Sequence, residues 1–79
     1  MNLEKMKWML NVNMKETLFF KNETKYKFSS ADVREAAYED AVFVVIRWQS
    51  CGDDEKVTHH YRIEEENYAD IIEYIKGQL

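Results

Sequence analysis

The sequence predicts an α+β protein, an antiparallel β-sheet with two helices packed on one face, in the order βββ-α-ββ-α. Three observations carry that prediction. Strict apolar alternation runs through residues 6–14 and 57–63, a run rich in β-branched residues fills 42–48, and a capped apolar stripe of helical period closes the chain at 67–79. One domain covers residues 1–79, since the sequence holds no proline, two glycines, no repeat and no linker-like tract.

In the first segment Met6, Trp8, Leu10, Val12 and Met14 fall on one side of an extended chain, with Lys7, Met9, Asn11 and Asn13 on the other. A helix through Leu3, Met6 and Leu10 is the competing reading, and two asparagines weigh against it. The segments TLFF and TKYKF flank Asn22 and Glu23 as a hairpin, Tyr26 and Phe28 inward, Lys25 and Lys27 outward. Residues 29–41 are expected to form a helix, capped by Ser29 with Asp32 three residues on, and striped by Val33, Ala36, Ala37 and Ala41.

The run from Val42 is apolar on both faces, as a central strand requires. A turn at Cys51 to Asp54 returns the chain along Lys56 to Glu64. Pairing these strands with Val44, Ile46 and Trp48 on the same face as Val57, His59, Tyr61 and Ile63 forces partner numbers to sum to an odd value. A sum of 105 sets Phe43 opposite Arg62 and Val45 opposite His60. The last helix starts at the N-cap Asn67, carries Tyr68, Ile71, Ile72, Ile75 and Leu79 on one stripe, and stops at Gly77.

Composition narrows the chemistry. The chain has 79 residues, a size at which folding buries roughly 60% of the unfolded surface. With 46% apolar residues it can still fill one core. A lone cysteine, Cys51, closes no internal disulfide, and no apolar run has the length of a membrane span or the shape of a signal peptide. A cytoplasmic protein is expected. Residues 1–28 hold six lysines against three glutamates, and residues 29–79 hold five basic against twelve acidic groups, so charge is unevenly spread.

His59 and His60 look at first like a metal site. On a strand, neighbours point to opposite faces, whereas zinc needs nitrogens converging at about 2.0–2.1 Å. No metal site and no cofactor is therefore expected; His59 belongs to the apolar series and His60 to the outer one. Glu64, Glu65 and Glu66 precede a helix N-terminus, where negative charge is favoured. Cys51 lies among Asp53, Asp54 and Glu55, whose charge raises a thiol's pKa, and no glycine-rich phosphate loop or nucleophile motif is present. No catalytic residue is assigned, and the protein is expected not to be an enzyme.

What remains is surface. The outer sheet face is expected to gather Phe43, Val45, Arg47, Gln49, His60 and Arg62, with Lys7, Met9, Lys25 and Lys27 joining them: an apolar centre with a basic rim. A second candidate surface is acidic, with Asp53, Asp54 and Glu55 in the turn, Asp32, Glu35, Glu39 and Asp40 on the expected first helix, and Asp70 and Glu73 on the last. The function expected is that of a small acidic protein-binding module, an inhibitor or regulator of another macromolecule. In size and charge alone it is similar to phage-borne anti-CRISPR inhibitors of nucleic-acid enzymes. The alternative is a homodimeric accessory subunit that shields its open sheet face. A single-stranded nucleic-acid binder comes third, because Phe43 alone offers a platform ring.

Overall fold

The computed structural model describes residues 2–37, 40–64 and 67–79. Its elements are α1 (Leu3–Asn13), β1 (Leu18–Lys21), β2 (Thr24–Glu35), β3 (Val42–Ser50), β4 (Lys56–Ile63) and α2 (Tyr68–Gly77). The four strands form an antiparallel meander in chain order, curled into a half-barrel, with a helix at each end of the chain. This replaces the expected order of strands and helices and the expected packing of two helices on one sheet face.

Two segments account for the difference. Residues 3–13, expected as a strand, form a helix whose N-cap Asn2 accepts the N–H of Lys5 at 3.0 Å. Met6, Leu10 and Met14 are buried, whereas Trp8 and Val12, which an extended chain would set beside them, are 62% and 51% exposed. Asn11 and Asn13 are accommodated by donating to the carbonyls of Lys7 and Met9 one turn back, at 2.8 Å each.

The second segment is residues 29–35, expected as the start of a helix and found as the far half of β2. Phe28 pairs with Trp48 and Ser30 with Arg47, so Ser29 is an extra residue, a β-bulge. Before it the even-numbered Tyr26 and Phe28 face the core; after it the odd-numbered Ala31 and Val33 do. Glu39 lies outside the described residues, and Asp32 and Glu35 stand on β2 in place of the helix expected there.

Other expectations hold. The β1–β2 hairpin turns on Asn22 and Glu23, with φ of 50° and 68°, the left-handed pair of a type I′ turn. Strands β3 and β4 pair from Val42↔Ile63 to Gln49↔Lys56, a constant sum of 105. Asn67 caps α2 by accepting the N–H of Ala69 at 3.2 Å, and Ile71 and Ile75 are buried.

The core lies in the hollow of the half-barrel, where Trp48, Val44 and Ile46 of β3 meet Met6 and Leu10 of α1 and Ile71 and Ile75 of α2. Phe19 packs its ring on Tyr26, with centroids 5.1 Å apart, and edge-on to Trp48 at 4.9 Å. Strand β1 is short and covers only residues 24–27 of β2. Beyond them α1 completes the edge, Asn11 bonding both backbone groups of Ala31.

Candidate binding face

The two faces of the sheet differ in kind because adjacent residues of each strand point to opposite sides. His59 and His60 illustrate it. His59 enters the hollow, with ring centroids 5.2 Å from Phe19, 5.9 Å from Trp48 and 6.3 Å from Tyr61, while His60 lies outside beside Val45. Burial, then the charges of Lys21 and His60, lowers the pKa of His59. Burial followed by Tyr74 raises that of Tyr61.

On the convex side, cross-strand rungs place side chains in rows: Leu18 with Lys27, Gln49 and Lys56; Ser30 with Arg47 and Thr58; Asp32 with Val45 and His60; Arg34 with Phe43 and Arg62. Phe20 and Lys25 add a further rung at the hairpin end. Five of the expected partner-binding residues, Phe43, Val45, Arg47, His60 and Arg62, are thereby brought together. A shallow depression is lined by the first four with Arg34 and Thr58.

The character of the face differs from the expected apolar centre with a basic rim. Val45 is only 8% exposed and Phe43 39%, and the more exposed Leu18 and Phe20, at 40% and 66%, stand apart on the β1 rungs, so no apolar centre forms. Charge dominates instead. Of eleven lysines and arginines in the chain, six lie on these strands facing out (Lys25, Lys27, Arg34, Arg47, Lys56 and Arg62), against the single carboxylate of Asp32. The remaining sequence holds five basic and fourteen acidic residues. Asp32 sits 3.8 Å from both Lys7 and Arg34, and Arg62 pairs with Glu64 at 2.7 Å. Lys7 and Met9, expected on this face as strand residues, ride on α1; the ammonium of Lys7 nevertheless reaches the edge of the face at Asp32.

Arg34 and Lys56 are the residues that sequence reasoning missed. Arg34 was hidden by the helical reading of its segment, and recognising the bulge would have revealed it. Lys56 follows directly from the register, opposite Gln49.

The other three expected site residues, Asp53, Asp54 and Glu55, lie apart in the exposed turn beyond β3. Phe43 is seven residues from the end of that strand, or about 23 Å at strand rise. The turn is braced: Glu55 N–H donates to Asp53 Oδ1 at 2.8 Å, Gln49 Nε2 donates to the carbonyls of Asp53 and Glu55 at 3.2 and 3.3 Å, and Ser50 Oγ accepts from Gly52 N–H at 3.2 Å. Burial, then a hydrogen bond to Glu55, raises the pKa of Tyr26.

Among the described residues no three His, Cys, Asp or Glu side chains are grouped to hold a metal ion. No described helix is long and apolar enough to cross a membrane. Fold and site together define a four-stranded meander with terminal helices and a cationic outer face. Comparison with protein-family models, curated proteins and solved structures gives no match.

Proposed function

We propose that the protein is a non-catalytic binding module that regulates or inhibits a partner protein by docking its convex sheet face on an acidic patch of that partner. The observation that supports this is the gathering of six of eleven cations on one sheet face of a protein whose net charge is −4. A chain evolving only for solubility has no reason to sort its charge by sheet face. Three of those cations are arginines, whose planar forks pair carboxylates in a bidentate way.

A compact acidic protein patch fits better than a nucleic acid. A polynucleotide extends past the face and meets the surplus carboxylates carried by the rest of the chain, which repel it. Nor do the two outward rings form a stacking platform: Phe20 pairs with Lys25 and Phe43 with Arg34, roughly 27 Å apart along β2.

The test is capture from extracts of the source cells. A protein retained by the native chain should be lost by Arg34→Ser with Arg47→Ser and kept by the triple change of Asp53, Asp54 and Glu55 to Ser. The opposite pattern would move the contact to the turn. A mobility shift of short RNA or DNA at low salt, abolished by the same arginine changes, would replace the protein partner by a polynucleotide.

A further inference from the structure

The structure assigns a phosphate-ester subsite to Arg47, Thr58 and His60, in the depression on the convex face. The inference rests on the reading that this face docks on an acidic protein patch, and it deepens that reading: at the centre of the patch stands a phosphorylated side chain.

Strand register sets the three side chains around one point. Arg47 of β3 and Thr58 of β4 are opposite each other, which places their Cβ atoms about 4.5–5.5 Å apart. His60 pairs with Val45 and is therefore the diagonal neighbour of Arg47, at about 7–8 Å. Val45 lies between them and is only 8% exposed, so it forms a floor beneath the longer side chains.

Ion pairing separates Arg47 from the other arginines of the face. Arg34 has Asp32 at 3.8 Å and Arg62 has Glu64 at 2.7 Å, whereas among the described residues Arg47 is in no ion pair. The side chains of Thr58 and His60 likewise make no hydrogen bond among the described residues, which leaves their donors available. Asp32, the carboxylate of this face, is held by Lys7 and Arg34 and stands two strands from His60, about 10 Å away.

The donor set selects the anion. A carboxylate has two oxygens, which the fork of one arginine satisfies. A phosphate monoester has three terminal acceptor oxygens and up to two charges, and it needs donors from more than one side. Here a guanidinium supplies the charge and parallel N–H groups, the Thr58 hydroxyl a donor from across the rung, and the His60 ring an N–H in either protonation state. The carbon side of the ester lies over Val45 toward Phe43, the apolar end of the depression.

A nuclear magnetic resonance titration of the full chain tests this, with phenyl phosphate and its carboxylate counterpart benzoate as probes. Phenyl phosphate should shift the Arg47 Nε–H, Thr58 amide and His60 ring signals together, and should bind at least about tenfold more tightly than benzoate. Arg47 is exposed, so Arg47→Gln spares the core and should weaken phenyl phosphate about tenfold or more. Lys76→Gln, which removes the same charge from α2, should leave its binding unchanged. Benzoate binding as tightly overturns the inference, as does retention of phenyl phosphate by Arg47→Gln or an equal loss in Lys76→Gln. The docking reading is tested apart from it. A partner whose capture requires Arg34 and Arg47 yet survives phosphatase treatment of the extract overturns the phosphate and leaves that reading standing.

Discussion

Asn11 and Ala31 are joined in both directions: the carboxamide of Asn11 accepts the N–H of Ala31 at 3.1 Å and donates to its C=O at 3.0 Å. A side chain on a helix thus supplies what a neighbouring strand would supply, and both polar groups of a buried alanine are satisfied.

Asn11→Ala leaves both groups without partners and should destabilise the fold by about 1–3 kcal/mol, read from the midpoint of urea unfolding. Asn11→Asp keeps the acceptor, loses the donor and should fall between. Unchanged hydrogen exchange at the Ala31 amide in Asn11→Ala would show that α1 does not guard this edge.

The bulge at Ser29 is one surplus residue, so β2 should be indifferent both to its identity and to its loss. Ser29→Ala should cost no more than about 0.5 kcal/mol, because the side chain is exposed. Deleting Ser29 leaves Phe28↔Trp48 and Ser30↔Arg47 as consecutive rungs with Tyr26, Phe28, Ala31 and Val33 all on the core face, so thermal unfolding should stay cooperative; its loss would contradict the bulge assignment.

At the hairpin tip Glu23 holds φ at 68°, a conformation glycine adopts without a steric penalty. Glu23→Gly completes the sequence Asn-Gly preferred by type I′ turns and should stabilise the protein by about 0.5–1 kcal/mol, despite the entropy of glycine in the unfolded chain. A fall in the thermal midpoint would contradict the turn assignment.

His59 couples stability to pH. Its pKa is lowered in the folded protein, chiefly by burial, so below about pH 6.5 the unfolded chain binds the proton more readily than the folded one. The contribution of neutral His59 is fully present above pH 6.5 and is lost as pH falls toward the folded value. The melting temperature should drop across that window, and His59→Phe should flatten that part of the profile.

Ile75 lies within α2 and is 0% exposed, whereas Leu79, expected on the same stripe, lies beyond the helix end at Gly77 and is 38% exposed. Ile75→Ala should cost about 2–5 kcal/mol and Leu79→Ala within about 0.5 kcal/mol, both by chemical denaturation. Equal costs would mean that the residues following α2 pack more tightly than the exposure of Leu79 indicates.

The β3–β4 register was legible in the sequence because period and parity agree there: only an odd sum keeps Val44, Ile46 and Trp48 with Tyr61 and Ile63. With it came the five face residues of those strands. The first helix was not legible, since Met6, Leu10 and Met14 are spaced by four, which is both two strand repeats and about one helical turn. Trp8 and Val12 tipped the reading to a strand, yet both lie in solvent. In β2 the apolar series changes from even to odd across Ser29, and Val33 with the alanines at 36, 37 and 41 then imitates a helical stripe. Losing β2 also lost Arg34, and with it the preponderance of charge over apolar surface on the face.

That sorting of charge has a kinetic consequence. With a surplus of five positive charges on the outer strands and nine negative ones in the rest of the sequence, the molecule is a strong electric dipole. Near a negatively charged object such a dipole feels a torque as well as a pull, and docking through the sheet, as proposed, would gain from that turning because a larger share of collisions would be productive.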